Sequence, residues 1–410
     1  MYRMLRNKAQ SLAEPVGRFA QELIRVPSPS FQESGVADRV ESTMKKLGYD
    51  RVLRDDHGNV VGVILGRDGG PTLLLNCHMD TMPASGPEEA WGSSPTDGRI
   101  ENGRLHGLGA SDCKSGLAVH VYTGALLRQS LLPLRGNLVV AATVAEETGH
   151  SQGVRALMEE TLPSLELKPD AALLGEPTDL SLYYGHDGWL EFDIQVEGAN
   201  PFHVDDAART IFDDLEARRS SAGADSRPEA LVVYQPRFED EDGRRRSTIR
   251  TARRLGDGDG VEQVLDQVRH DVRLMAREAG EVSVAVMLAE ESRRLYTGRT
   301  CLVRHVTHAW AIDPFHPLME RSRGALMAAD APAKAGKWKL GRLGMGTAGG
   351  VLVRDYDVPA IGYGPGCESQ AHAPGESIEL AKLGPALYGT AAIVHSQIGV
   401  PVYGWTSDDI

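Results

Sequence analysis

Residues 72–80 read TLLLNCHMD, an apolar run that ends in His78, Met79 and Asp80. The run predicts a short strand, and because side chains alternate along a strand, His78 and Asp80 would point to the same side at its end. In that arrangement the imidazole can bind a metal ion while the carboxylate orients its surroundings. Such a pair is more often structural, since a lone histidine usually satisfies ordinary hydrogen bonds. The rest of the chain therefore decides between the two interpretations.

Strand-like and helix-like stretches alternate on both sides of this run. Apolar residues at helical spacing from Pro15 to about Gly48, interrupted by the break PSPS, predict two helices. The overall order predicts an α/β fold, with a mixed central sheet flanked by helices. The remaining apolar runs predict strands at 59–65, 138–145, 171–174 and 358–363, and helices at 116–127, 315–329 and 380–398.

The pattern changes after Gly188. Residues 189–197 read WLEFDIQVE, in which apolar and charged side chains alternate as in a half-exposed antiparallel strand. The elements that follow give the order β-α-β-β-α-β, which predicts an inserted ferredoxin-like α+β unit. We therefore expect residues 187–298 to form a second domain, and residues 1–186 and 299–410 to form one discontinuous domain. Within the insertion, the charged stretch FEDEDGRRR at 238–246 is expected to be a solvated loop.

The composition argues against several classes of function. The 410 residues contain 44 Lys and Arg against 57 Asp and Glu, a formal net charge of −13, which disfavours nucleic-acid and anionic-membrane partners. The four cysteines form no CxxC pair and are too sparse for a secreted disulfide scaffold. Because no apolar run is long enough for a membrane span and the N-terminus lacks an apolar targeting region, we expect a soluble, cytoplasmic protein.

Several further polar residues stand at or just beyond the ends of the predicted strands. Open α/β sheets bind their ligands at the carboxyl edge of the strands, so these residues would meet there. Their carboxylates would repel one another unless two divalent cations compensated the charge. Imidazole and carboxylate ligands without thiolate suit zinc, with manganese or cobalt as alternatives. The residues are Asp112, which a helix-capping role would also explain, then Glu146, Glu147, Glu176 and His372.

These motifs, in this order and at these intervals, resemble the M20 family of di-zinc metallopeptidases and deacylases. This is the group of acetylornithine deacetylase, succinyl-diaminopimelate desuccinylase and glutamate carboxypeptidase, and the resemblance covers essentially the whole chain. It implies two zinc ions per chain. By resemblance, His78 and Glu176 would hold one ion, Glu147 and His372 the other, and Asp112 would bridge the two.

The same resemblance implies further roles and an activity. Asp80 would be the partner that orients His78, and Glu146 would be the general base for the attacking water. The peptide bond between Asp112 and Cys113 would be cis. The implied reaction is hydrolysis of the amide bond in a small N-acyl amino acid or dipeptide-like substrate.

The predicted insertion departs from the family pattern. Family members supply an oxyanion donor from a histidine on the partner subunit's lid, which implies a homodimer formed through the lid domain. His203, in VEGANPFHVDDAARTI, is the candidate, although the family's neighbouring Pro and Asn-Ala are absent and a surface histidine near a helix start is an equal alternative. Arg254 in TARRLGDG is the candidate for binding the substrate carboxylate, although Ala252 stands where the family has Asp.

Residues 344–349 read GMGTAG and match the dinucleotide motif G-x-G-x-x-G. The next predicted strand follows too soon for a crossover helix, so a dehydrogenase is a distant alternative. By resemblance, the backbone at Gly346 and Thr347 would line the substrate pocket. A non-hydrolytic or acyl-transferring homologue with a rebuilt lid is the main alternative to a hydrolase.

Overall fold

The computed structural model describes residues 2–67, 69–86, 88–149, 151–221, 231–333 and 343–400. The chain divides into two compact units. The first comprises Met1–His186, Arg293–Cys301 and Ala311–Ile410, and the second comprises Asp187–Ser292 and Leu302–Trp310. The second unit is therefore built from two separate stretches of the chain.

The described α-helices are α1 (Tyr2–Ile24), α2 (Ser34–Lys46), α3 (Lys114–Gln129), α4 (Gln152–Ala156), α5 (Leu162–Ser164), α6 (Pro201–Ser221), α7 (Val261–Met275), α8 (Pro317–Ala328), α9 (Gly349–Tyr356) and α10 (Leu383–Ile398). The strands are β1 (Arg51–Arg54), β2 (Val60–Ile64), β3 (Gly70–His78), β4 (Ile100–Glu101), β5 (Arg104–His106), β6 (Gly136–Thr143), β7 (Ala171–Leu174), β8 (Gly185–His186), β9 (Gly188–Gly198), β10 (Leu231–Val233), β11 (Arg237–Glu241), β12 (Arg244–Leu255), β13 (Ser283–Leu288), β14 (Glu290–Arg294), β15 (Thr300–Arg304), β16 (Val306–Thr307), β17 (Trp310–Ala311), β18 (Ala360–Gly362) and β19 (Ser377–Glu379). Within the described ranges, no helix has both the length and the apolar character needed to cross a bilayer.

The first unit is built on a mixed six-stranded sheet of order β1-β2-β6-β3-β7-β18. Strands β6, β3, β7 and β18 are mutually parallel, whereas β1 and β2 are antiparallel to their neighbours. Helices α3 and α10 pack against β3 and β6 and are buried along almost their whole length. The predicted α/β fold with a mixed central sheet is therefore confirmed.

Helix α1 begins earlier than predicted. The sequence pattern placed its start at Pro15, where the apolar residues at helical spacing begin. The helix instead begins at Tyr2 and continues through Pro15. Leu5 and Ala9 are buried on the same face as Val16, and this face packs on α3 and α10, so tertiary packing outweighs the cost of an internal proline.

The second unit contains an antiparallel sheet of order β10-β12-β9-β13. Along β9 the side chains alternate between buried and half-buried, as WLEFDIQVE predicts. Helix α6 packs on β9 and β12 and α7 packs on β13, around a core that includes Phe192, Ile194 and Ile249. Leaving β11 aside, the order β9-α6-β10-β12-α7-β13 is the predicted ferredoxin-like arrangement.

The loop predicted at 238–246 is wrong, because these residues form a β-hairpin, although the predicted solvent exposure is confirmed along β11. Strand β11 pairs with the start of β12 across a turn at Asp242 and Gly243, which have φ of 51° and 73°. Asp-Gly is a favoured dipeptide of tight hairpin turns, and the charge pattern concealed this signal. Arg245 pairs with Asp205 on helix α6 over 2.9 Å, and Arg246 pairs with Glu197 on the neighbouring strand β9, so both arginines have acidic partners within the unit.

Candidate metal centre

The parallel strands of the first unit bring the predicted ligands to one edge of the sheet. His78 is the last residue of β3, and Glu176 lies two residues beyond β7. Glu146 and Glu147 follow β6 after a two-residue turn, and His372 lies in the loop after β18. Because all four strands point the same way, their carboxyl ends and the residues beyond them converge.

Asp112 stands between the two histidines. The Nε2 atom of His78 lies 3.1 Å from Asp112 Oδ1, and the Nε2 atom of His372 lies 3.1 Å from Asp112 Oδ2. Asp112 is 2% exposed and lies two residues before α3, with its carboxylate at this edge of the sheet. A carboxylate with one histidine nitrogen at each oxygen has the arrangement needed to bridge two cations.

The remaining predicted ligands complete two groups. Ligand atoms of His78, Asp112, Cys113 and Glu176 all lie within 4.8 Å of one another, and the same holds for Asp112, Glu147 and His372. In the second group His372 Nε2 is 3.0 Å from Glu147 Oε2. The structure therefore brings together all the residues proposed as ligands on sequence grounds: His78, Asp112, Glu147, Glu176 and His372.

Asp80 fixes the backbone beside these ligands. Its Oδ1 accepts a hydrogen bond from the Glu146 N–H, and its Oδ2 accepts one from the Glu147 N–H, both over 3.1 Å. The Ser30 hydroxyl donates to Oδ2 over 2.7 Å. His78 Nδ1 lies 3.6 Å from Asp80 Oδ1 but only 2.8 Å from the Asp80 backbone oxygen, so Nδ1–H donates to that backbone oxygen and Nε2 faces Asp112.

Charge is crowded in this buried region. Burial raises the pKa of Glu176 to about 8, with a further contribution from the negative charges of Asp112 and Glu147. Burial and the charge of Asp112 likewise raise the pKa of Glu147. Hydrogen bonds to Asp112 and Glu147 raise the pKa of His372 to about 11. Crowded carboxylates beside imidazole nitrogens form a donor set that fits divalent metal ions, whose charge would compensate the carboxylates.

Two features of the backbone accompany the centre. The peptide bond between Asp112 and Cys113 is cis, as the family resemblance predicts. Ala145, which precedes Glu146, has φ of 50°, and His372 itself has φ of 58°. Such conformations in non-glycine residues cluster at functional sites. Alanine gives no signal of a left-handed conformation, whereas histidine is among the residue types enriched there, so the sequence signals this feature only weakly and only at His372.

Two buried carboxylates near the centre were not predicted from the sequence. Glu376 accepts backbone hydrogen bonds from the loop that carries Asp112. Glu33 accepts hydrogen bonds from the N–H groups of Phe31 and Ala145 over 2.9 and 3.0 Å. Glu376, four residues after His372, could have been suspected from its place in the same loop. Glu33 lies in no motif of the centre, and nothing in the sequence pointed to it.

Two of the other proposed site residues are His203 and Arg254. His203 is in the first turn of α6, and its ring packs against the backbone of Gly280. Arg254 lies on β12 opposite Trp189. Both belong to the second unit, whereas the two groups of ligand atoms belong to the first.

The loop that contains Gly346 and Thr347 is held from two sides. The Thr347 N–H donates to His186 Nε2 over 2.8 Å. Glu368 Oε1 accepts hydrogen bonds from the N–H groups of Gly344 and Met345. Thr347 is buried, while Gly346 is half-buried. The loop is therefore a fixed backbone segment that follows the short bridge at Leu343 and leads into α9.

Comparison with known proteins shows similarity to one peptidase family along most of the chain. The profile of peptidase family M20/M25/M40 matches residues 74–396. The uncharacterized protein YgeY of Escherichia coli K12 is 27% identical over 394 residues, which is 92% of each chain. The LysW-lysine hydrolase of Deinococcus radiodurans is 28% identical over 378 residues, covering 90% of this chain and 94% of that protein.

Solved structures share the fold. The di-peptidase Dug1p of Saccharomyces cerevisiae matches with a TM-score of 0.70 at 13% identity, over 97% of this chain and 98% of that chain. The Bacillus subtilis protein YXEP, a dinuclear metal-binding peptidase, matches with a TM-score of 0.66 at 14% identity, over 94% of this chain and 98% of that chain. At such identities the likeness is one of fold.

Proposed function

Since the chain belongs to peptidase family M20/M25/M40 and is a hydrolase of that metal-dependent group, we propose that it cleaves the amide bond of a small N-acyl amino acid or dipeptide-like substrate. One observation carries the proposal above all. The buried carboxylate of Asp112 lies between His78 and His372, one histidine nitrogen at each oxygen. Glu147 and Glu176 flank this arrangement, which supports a shared site for two cations.

The ligands divide into two sets around a common carboxylate. We propose that His78 and Glu176 hold one ion, that Glu147 and His372 hold the other, and that Asp112 is shared. Zinc suits this set of imidazoles and carboxylates, with cobalt or manganese as alternatives. Two such ions would supply Lewis-acid chemistry, lowering the pKa of a water molecule and polarising the substrate carbonyl.

Glu146 is the proposed general base. Its side chain is 9% exposed, and the Ser151 hydroxyl donates to its Oε1 over 3.3 Å. Burial raises the pKa of Glu146 well above its usual value, so this carboxyl group can hold a proton. Glu146 would take a proton from the attacking water at a carboxylate oxygen and release it to the amine nitrogen of the leaving group. Asp80 holds the Glu146 backbone N–H and so fixes where the side chain begins.

The names of the relatives support an amide attached to an amino acid. The Deinococcus relative is a hydrolase of LysW-lysine, and the succinyl-diaminopimelate desuccinylase of Corynebacterium glutamicum is 32% identical over 188 residues, 46% of this chain and 48% of that protein. We propose that the loop at Gly346 and Thr347 lines the substrate pocket. Arg254 is the proposed partner of a substrate carboxylate.

We further propose a homodimer that assembles through residues 187–298. Strand β13 pairs with β9 on one side only among the described strands, and Met287 on β13 is 43% exposed. Phe202, beside His203, is 73% exposed, and both features favour a protein partner. In the dimer, His203 of one subunit would stabilise the oxyanion formed in the other. All four cysteines are thiols, which fits a reducing cytoplasm.

Metal analysis combined with a substrate screen tests the proposal. The purified protein should bind two equivalents of zinc, and chelation should abolish hydrolysis of at least one substrate among N-acetyl, N-succinyl and dipeptide amides. His78→Ala and His372→Ala should each lose a metal ion. Full metal occupancy in both variants would contradict the site. Metal binding without turnover on any substrate would favour a non-hydrolytic or acyl-transferring protein instead.

A further inference from the structure

Glu376 is a buried carboxylate whose oxygens both face backbone donors. It is 1% exposed. Oε1 accepts hydrogen bonds from the N–H groups of Ser111 over 2.7 Å and Asp112 over 3.0 Å, and Oε2 accepts one from the Gly109 N–H over 3.0 Å. All three donors belong to the loop that ends at Asp112. Both carboxylate oxygens of Glu376 are therefore hydrogen-bonded to residues 109–112, the segment that carries the Asp112 carboxylate.

The same contacts join two loops that carry different ligands. Glu376 lies four residues after His372, and its backbone oxygen accepts a hydrogen bond from the Gly107 N–H over 2.9 Å. Ser111 Oγ accepts from the Cys367 N–H over 2.7 Å and donates to the Cys367 oxygen over 3.0 Å. Hydrogen bonds thus join the loop before α3, from Gly107 to Asp112, to the loop after β18 at both Cys367 and Glu376.

The nearby buried amine of Lys114 does not replace these contacts. Lys114 is 1% exposed, but its Nζ donates to the backbone oxygens of Leu23 and Val26 over 3.0 and 2.9 Å. An ionised carboxylate is costly to bury without hydrogen-bond partners. The backbone N–H groups of residues 109–112 supply those partners for Glu376. Moving this loop would therefore leave the carboxylate without them.

We propose that Glu376 is a positioning residue, which fixes the orientation of Asp112 and thereby sets the metal affinity of the centre. This inference rests on the proposed function, because it treats Asp112 as the shared ligand. Mutating a group that hydrogen-bonds to a metal ligand typically lowers metal affinity or activity by about 10- to 100-fold. Glu376 acts on the backbone of the ligand, and we expect its loss to fall in the same range.

Glu376→Gln is the sharpest test. The substitution keeps the size and shape of the side chain, but one oxygen becomes an NH2 group. That group would face either the Gly109 N–H or the N–H groups of Ser111 and Asp112, so donor would meet donor. We expect metal affinity, measured by competition with a chromophoric chelator, to fall by about 10- to 100-fold, while the folded fraction stays high enough to measure.

Two further variants distinguish a loss of positioning from a loss of charge as the cause of weaker metal binding. Glu379→Gln makes the same chemical change at the last residue of β19, where the half-exposed side chain pairs with Arg104. This control variant should retain wild-type metal affinity. Glu376→Asp keeps the charge but is shorter by one methylene, so it cannot reach Gly109 and Asp112 together. If the charge alone mattered, Glu376→Asp would restore metal affinity. Positioning predicts that it does not.

The outcomes are distinguishable from a failure of the proposed function. If the wild-type protein binds no metal, the proposed function is wrong. If it binds two ions and folded Glu376→Gln binds them equally well, only the role of Glu376 is wrong. Should both variants fail to fold, amide hydrogen exchange in the wild-type protein decides. Slow exchange at Gly109, Ser111 and Asp112 supports the contacts, and exchange at the rate of open loop amides overturns them.

Discussion

Replacing Asp80 with asparagine should disturb the turn that carries Glu146 and Glu147. Each carboxylate oxygen of Asp80 accepts one backbone N–H, from Glu146 at Oδ1 and from Glu147 at Oδ2, and Ser30 donates a further bond to Oδ2. In Asp80→Asn one oxygen becomes an NH2 group, so one of the two N–H groups must face another donor. Because Asp80 is fully buried, water cannot replace the lost acceptor.

The magnitude follows from these contacts. A hydrogen bond to a charged group contributes about 1.5–3 kcal/mol, and an unpaired buried donor costs about 1–3 kcal/mol. These two figures describe partly the same loss, so we expect the free energy of unfolding to fall by about 2–4 kcal/mol. Displacement of Glu146 should also lower kcat by roughly 10- to 100-fold.

Urea unfolding of the metal-free protein, followed by circular dichroism, measures the first quantity, and turnover of the substrate found in the screen measures the second. Ser30→Ala is the matched control, since it removes one hydroxyl and leaves both backbone hydrogen bonds intact. Its cost should be about 1 kcal/mol, with kcat little changed. If Asp80→Asn lies within about 0.5 kcal/mol of the wild type, the range of an ordinary surface substitution, the reasoning is refuted.

Three further predictions concern single residues. Glu146→Gln should keep its metal while activity falls about 10²- to 10⁴-fold, because Glu146 is the proposed general base. Glu147→Gln should instead weaken metal binding. Metal analysis and kinetics on both variants would show the opposite pattern if the roles of base and ligand were reversed. His203→Ala should lower kcat by about 10²- to 10³-fold with zinc content intact. Mixing it with Glu146→Gln should restore activity in heterodimers, because one site then combines an intact base with an intact histidine. Near-wild-type turnover by His203→Ala would exclude the role of His203 as oxyanion donor. Burial and the charge of Asp80 raise the pKa of Glu33 from 4.5 to about 7. The folded state favours the neutral carboxyl group of Glu33. The contribution of Glu33 to the free energy of unfolding is therefore complete below pH 4.5 and is lost as pH rises to about 7. Between pH 5 and 8 the metal-free wild type should lose up to about 3 kcal/mol more stability than Glu33→Gln, and equal losses in urea titrations would contradict this.

The sequence pointed to the ligands because they follow strands. His78, Glu147 and Glu176 lie within a few residues of the ends of buried apolar runs, and parallel strands bring their carboxyl ends to one edge. This geometry holds whatever the details of the loops. The sequence therefore sufficed to place these residues near one another, and the family resemblance supplied the assignment of each to an ion.

The supporting carboxylates could not be found in the same way. Glu33 is at the start of α2, more than a hundred residues before Ala145, whose N–H it binds. No periodicity relates the two, because the contact depends on how separate loops pack. The left-handed backbone of Ala145 is hidden for a similar reason, since alanine, unlike glycine, asparagine, aspartate and histidine, rarely adopts this conformation.

The acids at this edge of the sheet divide by what compensates their charge. Asp112, Glu147 and Glu176 lie in the two groups of ligand atoms, where cations would compensate them. Asp80 and Glu376 instead accept backbone N–H groups, and these N–H groups belong to the very segments that carry ligands.

This division has a consequence for how the centre forms. The backbone contacts of Asp80 and Glu376 need no metal, so the turns that present Glu147 and Asp112 can take their positions in the metal-free protein. Holding ligands in place beforehand reduces the ordering that metal binding must bring about. On the proposed function, the affinity of the centre would therefore depend on carboxylates that are not ligands, and substitutions at those positions should weaken metal binding without removing a ligand.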